Sequence, residues 1–148
     1  MLTPADFREL CHRHHLAATH QRQVIYETIA SLPGHPSPED IYHRARKKVP
    51  SISLATVYKN IRTFLDSGVV REVSLHHGSL RVESNHRPHH HLVCIKCKSI
   101  VDLDEAGLEP LRFRRKLPRG FRVKRIAVDI LGICEACSSK GARATRTT

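Results

Sequence analysis

Apolar and polar positions follow two different rhythms along this chain. In the first half apolar residues recur at helical spacing, and in the second they alternate or run together as strands do. Phe7, Leu10, Cys11 and His14 share one helical face. Thr3 caps that helix, Pro4 takes its first position, Asp6 suits the helix dipole, and Leu2 and Phe7 have the spacing of a hydrophobic staple. A second helix starts at Thr19 with Val24, Ile25 and Ile29 inward, and Pro33, Gly34 and Pro36 close it. Ser37-Pro38-Glu39-Asp40 caps a third, which runs through Ile41 and Ala45 toward Val49 and stops before Pro50. The fourth opens at Ser53, or possible-cap Ser51, in "SLATVYKNIRTFLDSG". Leu54, Val57, Tyr58, Ile61, Phe64 and Leu65 form its apolar stripe, and the other face shows Ala55, Thr56, Lys59, Asn60, Arg62 and Thr63 with no acid before Asp66. Gly68 ends this helix, and "VVREVSLHHGSLRVE" alternates around His77-Gly78-Ser79 as a hairpin does.

Helices on short turns followed by a two-stranded hairpin describe a winged helix-turn-helix. On the fourth helix Lys59 and Arg62 suit phosphates or guanine edges, Asn60 or Thr56 could read bases, and the Tyr58 hydroxyl could reach a phosphate. The pattern fits a merely solvated amphipathic helix equally well.

The second half predicts a strand in "HHHLVCIKCKSIVDL", a short helix within "DEAGLEPLRFRRKLP", and a returning strand in "GFRVKRIAVDILGIC" with Ile126, Val128 and Ile130 on one side. The fold class is therefore α+β, with a boundary near residues 81–87 and no internal repeat.

Composition narrows the partners. The 148 residues make one ordinary domain or two small ones, and 40% hydrophobic residues with four Phe, three Tyr and no Trp give a mainly aliphatic core. No apolar run approaches the roughly 18 residues of a membrane span. "MLTPADFREL" lacks the layout of a signal peptide, so a soluble cytoplasmic protein is expected. The net charge of +11 points to a polyanion, since cations placed at phosphates release counterions. Residues 1–84 carry eleven basic and eight acidic side chains, residues 85–148 fourteen and six. Part of the excess lies in the tail "KGARATRTT", expected to be disordered over 139–148.

The chemistry concentrates in "HRPHHHLVCIKCKSIVDLD". Cys94-x-x-Cys97 and Cys134-x-x-Cys137 match a tetrahedral structural zinc site of four thiolates, each pair supplying two corners. The competing reading, two redox-active pairs, suits two evenly matched motifs less well. Cys11, alone on an apolar face, reads as a small core residue. With four thiolates around one zinc, the histidines need a second site. His89 and His91 alternate on a strand and so point to the same side, and an antiparallel return could bring Asp102 beside them. Such a mixture suits Fe(II), Mn(II) or Zn(II). His86 and His90 are expected to be bystanders. No His-x-Glu or His-Glu-x-x-His occurs and the four-cysteine site has no open position, which argues against a zinc hydrolase or deaminase.

The segments "THQRQVIYETI", "HPSPEDIY", "SISLATVYKNIRTFLDSGVV", "HHHLVCIKCKSIVDL" and "GICEAC", spanning about residues 16–137, together resemble the ferric uptake regulator family of metal-dependent repressors. The resemblance implies an N-terminal winged-helix DNA-binding domain over 1–82, a hinge over 83–88, and a small C-terminal α/β dimerisation and metal-binding domain over 89–138. It implies homodimers on palindromic double-stranded operators. It places Cys94, Cys97, Cys134 and Cys137 at the structural zinc, and His35, Glu83, His89, His91 and Asp102 at a regulatory Fe(II) or Mn(II) that would fix the orientation of the two domains. The fourth helix and Asp102 look closest to the family's peroxide-responsive branch. In that branch peroxide reacting at the iron form oxidises a ligand histidine, here His35 or His89 by position, and operator binding is lost. Glu83 departs from the aspartate usual in that branch. Lys124 and Arg125 lie where an auxiliary histidine ligand of many iron-responsive members would fall, and His90 replaces an aspartate. The alternative within the family is an iron- or zinc-responsive regulator of metal uptake.

Overall fold

A computed structural model describes residues 3–73, 78 and 80–143. It divides into two compact units, Met1–His86 and Arg87–Thr148. The division falls inside the segment expected to be a hinge.

The first unit is helical. Helix α1 (Pro4–Arg13) begins with a reciprocal capping box: the Asp6 backbone N–H donates to the Thr3 hydroxyl, and the Asp6 carboxylate accepts from the Thr3 N–H. Helix α2 (His20–Ser31) is capped by Thr19, and α3 (Pro38–Ala45) by a second capping box between Ser37 and Asp40. This third helix stops at Ala45, short of the expected Val49. Helix α4 (Leu54–Asp66) is capped by Ser53. Gly68, at φ +73°, ends it and lets the Val69 N–H turn back to the Phe64 carbonyl at 2.8 Å. Of the inward stripe, Val57, Ile61 and Phe64 are fully buried against Ile25, Ile41 and Ala45, Leu54 and Leu65 are half-buried, and Tyr58 at its edge is exposed. Cys11 belongs to the same cluster. At about 25 cal/mol per Å² of apolar surface, each large side chain there contributes on the order of 2 kcal/mol.

The hairpin is shorter than its alternation suggests. Strands β1 (Arg71–Glu72) and β2 (Val82–Glu83) pair antiparallel, Arg71 opposite Glu83 and Glu72 opposite Val82. The expected His77-Gly78-Ser79 turn and the Leu2–Phe7 staple lie outside the described residues.

The second unit is a three-stranded sheet in the order β4-β3-β5. Strand β3 (His89–Cys94) pairs antiparallel with β4 (Ile100–Asp104) and parallel with β5 (Asp129–Gly132). The helix expected within "DEAGLEPLRFRRKLP" is reduced to one 3₁₀ turn, Glu105–Gly107. Pro110 can stand only in the first turn of an α-helix and Pro118 cannot continue one, so the two confine any helix there to a short span. The expected strand from Gly120 to Cys134 narrows to β5, so Ile126 and Val128 precede it. Helix α5 (Glu135–Arg143) follows, so residues 139–143 are helical where a disordered tail was expected, and 144–148 lie outside the described residues. No helix among the described residues is long and apolar enough to cross a membrane.

Candidate metal centre and nucleic-acid interface

In the second unit strand pairing brings the two Cys-x-x-Cys motifs together. Because β3 and β5 run parallel, with Cys94 opposite Gly132, both strands deliver their motifs at the same end of the sheet. The Ile95 N–H to Gly132 carbonyl bond, 2.9 Å, extends that pairing into the first motif. Lys98, at φ +63°, turns the first knuckle, and its N–H returns to the Cys94 carbonyl. The sulfurs of Cys94, Cys97, Cys134 and Cys137 lie within 4.8 Å of one another, and those of Cys97 and Cys134 are 3.6 Å apart. A tetrahedron with zinc–sulfur bonds of about 2.3 Å has sulfur–sulfur edges of about 3.8 Å, so the four sulfurs are close enough to share one zinc ion.

Their protonation chemistry agrees. Backbone N–H groups of Cys134 and Cys97 donate to the Cys94 sulfur and bring its thiol down to about 6. The Ser99 hydroxyl beside Cys97 lowers that thiol too. Cys137 is pushed up to about 12, first by the hydrogen bond of its thiol with the Cys134 sulfur and then by that with Cys97, which favour the protonated form. A divalent cation at their centre would take the place of the protons shared among the sulfurs.

The register also assembles the second candidate set. On β3, His89 and His91 share a face; His91 pairs with Asp102 and His89 with Asp104. The His89 Nε2 lies 4.0 Å from an Asp102 carboxylate oxygen, and the two imidazole rings meet edge to face at 4.8 Å. The His89 Nδ1–H donates to the Arg87 carbonyl at 2.7 Å, and His91 Nδ1 meets the Asp129 carboxylate at 3.2 Å. Each contact holds the proton on Nδ1 and aims the Nε2 lone pair, the orienting role that carboxylates and carbonyls play behind metal-bound histidines. Asp129 was not singled out in the sequence; its signal was an acid opening an otherwise apolar strand.

His90 faces the other way and is not a surface bystander. Its ring is buried, and Nδ1 accepts the Val128 N–H at 3.2 Å, tying β3 to the segment leading into β5. On its face of the sheet Leu92, Val101 and Ile130 sit side by side in register, 40%, 58% and 37% exposed.

In the first unit His35 Nε2 and a Glu83 carboxylate oxygen stand 3.2 Å apart although 48 residues separate them. The arrangement is local architecture. Gly34, at φ +71°, turns the chain after α2 in a conformation that side chains rarely adopt. The Val82 N–H donates to the Pro36 carbonyl at 3.2 Å. Arg81 donates to the His35 carbonyl and to Asp40, both at 3.2 Å, so β2 is stitched to the loop ahead of α3. Arg81 carried no signal in the sequence pattern.

The predicted DNA-contacting residues of α4 divide. Lys59 and Arg62 are exposed, Arg62 with Asp66 at 3.8 Å. Thr56 is partly exposed, its hydroxyl 2.9 Å from that of Ser53. Tyr58 is exposed, and its hydroxyl donates to Glu39 on α3 at 2.8 Å. Asn60 departs from its expected role. It is buried, its amide donates to the Thr56 carbonyl, and its oxygen accepts from Arg22 Nε, while Arg22 Nη1 donates to the Ala17 carbonyl. These bonds hold the amide between α2 and α4.

Known proteins were compared with the chain. The model of the Ferric uptake regulator family matches residues 13–131. The "Peroxide operon regulator" of Bacillus subtilis (strain 168) is 36% identical over 122 residues, which are 82% of this chain and 84% of that protein. The "Peroxide-responsive repressor PerR" of Staphylococcus epidermidis is 35% identical over 83% of this chain and 82% of its own. Among solved structures, the ferric uptake regulator of Helicobacter pylori is similar in fold, with a TM-score of 0.68 at 17% identity, covering 92% of this chain and 94% of that one.

Proposed function

The chain belongs to the ferric uptake regulator family, and on that premise we propose that it is a metal-dependent, DNA-binding transcriptional repressor that responds to hydrogen peroxide. It is a regulator and not an enzyme. The observation that carries the peroxide reading is 36% identity to a peroxide operon regulator across 82% of the chain. A regulator of genes works where the DNA is, so a cytoplasmic location goes with this reading.

Cys94, Cys97, Cys134 and Cys137 hold a structural Zn(II); the sulfur spacing and the lowered thiols of Cys94 and Cys97 support it. His35, Glu83, His89, His91 and Asp102 hold one exchangeable Fe(II) or Mn(II). The first unit offers two of these ligands and the second offers three, and neither number fills the shell of such an ion. Bound iron supplies a reactivity toward peroxide that bound manganese lacks. The protein's part is to hold His35 and His89 at the ion as the imidazoles that gain oxygen, to aim His89 through the Arg87 carbonyl, and to keep the His91 lone pair forward through Asp129. An oxidised imidazole is a poorer ligand, so the link between the units is lost and with it the operator.

Two copies bind a palindromic operator, each presenting α4 with Lys59, Arg62, Thr56 and Tyr58. The apolar row of Leu92, Val101 and Ile130, on the sheet face opposite His89 and His91, supports pairing of copies through the second unit, because rows of that kind are normally covered.

Glu83 favours a second reading, an iron- or zinc-responsive regulator of metal uptake, since the peroxide-responsive branch usually has aspartate there. Operator binding titrated with Mn(II), Fe(II) and Zn(II), with and without peroxide, separates the two. The peroxide reading expects loss of binding with iron alone, accompanied by one added oxygen atom on a peptide containing His35 or His89. Oxidised zinc cysteines with both histidines intact would overturn it.

A further inference from the structure

A dense run of basic residues lies outside every site described so far. Between Arg112 and Arg125 eight of fourteen residues are Arg or Lys and none is acidic. The whole stretch is exposed and has no helix or strand. The two nearest acids in sequence are Glu109 and Asp129, and Asp129 is already engaged with His91. Among the described residues, Arg114, Arg115, Lys116 and Arg119 enter no ion pair or side-chain hydrogen bond. Unbalanced charge at this density repels itself and gathers counterions. It is relieved by a polyanion that releases them.

We propose that the segment Arg112–Arg125 is a second, sequence-independent binding strip for the phosphate backbone of duplex DNA, separate from α4. Its chemistry suits phosphates and not base edges. Six of the eight cations are Arg, whose planar fork engages two phosphate oxygens at once. An irregular backbone interrupted by Pro118 and Gly120 can follow a phosphate line but cannot hold a fixed register against bases. An anionic membrane fits less well. Surface-bound segments of that kind are amphipathic helices with an apolar face, and this stretch forms no helix; its exposed apolar residues, Phe113, Leu117, Phe121 and Val123, are interleaved with the cations and not gathered on one helical face. The strip adds to whatever affinity α4 supplies and makes it steeply dependent on salt. It therefore holds the protein near DNA in general, while α4 selects the operator.

The inference rests on the DNA-binding reading only in naming duplex DNA as the polyanion. The test uses the full chain loaded with zinc and Mn(II). The variant Arg114→Gln/Arg115→Gln/Lys116→Gln/Arg119→Gln and its charge-keeping counterpart Arg114→Lys/Arg115→Lys/Arg119→Lys are compared with the unaltered protein. Each is titrated by fluorescence anisotropy onto an operator duplex, a scrambled duplex and vesicles with anionic headgroups, across salt from about 50 to 200 mM. Each lost phosphate contact lowers the slope of log affinity against log salt by about 0.9. The glutamine variant should lose about two to four units of slope on both duplexes, while the ratio of operator to scrambled affinity stays constant and the lysine variant keeps the original slope. Zinc content, helical circular dichroism and oligomeric state should be unchanged. An unchanged slope overturns the proposal. So does a loss confined to the vesicles, which would assign the strip to membranes, or a loss that tracks dissociation of the oligomer, which would assign it to a subunit interface. If the unaltered protein does not prefer operator to scrambled duplex, the repressor reading fails, while the slope on scrambled duplex still decides the strip.

Discussion

Lys59 and Asn60 are neighbours on α4 with opposite duties. Lys59 is exposed, whereas Asn60 closes a buried bridge from Arg22 to the Thr56 carbonyl. Lys59→Ala should weaken operator binding and reduce its salt slope by about 0.9, with the melting temperature unchanged. Asn60→Ala should instead destabilise the first unit by about 1–3 kcal/mol, because it strands the Arg22 guanidinium, and leave the operator preference of the folded protein intact. Thermal melts and salt-dependent anisotropy on both variants separate the roles. A changed base preference in Asn60→Ala would return that residue to the interface. Asp129 poses the same kind of question behind the metal. It touches His91 and contributes no ligand to the proposed shell, so Asp129→Ala should lower affinity for the exchangeable ion about 10–100-fold. Zinc content should stay at its original level.

The elements of the first unit are written locally. Each of its four helices has a hydroxyl at the cap, and α4 carries its apolar stripe within thirteen residues, so both signals sit inside the element they define. The second unit has little such redundancy. Its long connection between β4 and β5 has no period to read, and the helix expected there met Pro110 and Pro118. His35 and Glu83 were invisible as a pair for a related reason. They are brought together by Gly34, by the Val82–Pro36 bond and by Arg81, contacts that no spacing rule reports. Family resemblance supplied what periodicity lacked. The stitch through Arg81 ends on Asp40, whose carboxyl is held below its usual 3.8 first by the Ser37 N–H and hydroxyl and then by Arg81. A carboxyl lowered on folding stabilises fully above its ordinary value and loses that contribution as pH falls toward its folded value. Unfolding should therefore become easier below about pH 4. Asp40→Asn should cost on the order of 1 kcal/mol at neutral pH, as loss of a helix cap does, and should flatten that acid limb. Chemical denaturation across pH measures both.

At the scale of the molecule the switch is a matter of linkage. An ion that binds equally well to every arrangement of two units shifts nothing, however tightly it binds; only ligands drawn from both units give it a preference. If His35 and Glu83 share one ion with His89, His91 and Asp102, binding the ion and binding the operator select the same arrangement. Linkage then requires reciprocity: the factor by which Mn(II) tightens operator binding must equal the factor by which operator tightens Mn(II) binding. Coupling of about 1–3 kcal/mol, or 5–150-fold, is usual for such systems. His35→Ala is the informative variant. It leaves the three ligands of the second unit in place, so Mn(II) should still bind, more weakly, and the zinc should be untouched. Its coupling to the operator should fall toward unity, since the ion no longer holds anything in the first unit except through Glu83. Asp102→Ala removes a ligand from the other side and should likewise weaken Mn(II) and reduce the coupling. Calorimetric Mn(II) titrations with and without operator duplex give the factor directly. Full coupling retained in His35→Ala would mean that the ion acts within the second unit alone, and the five-ligand switch would have to be abandoned.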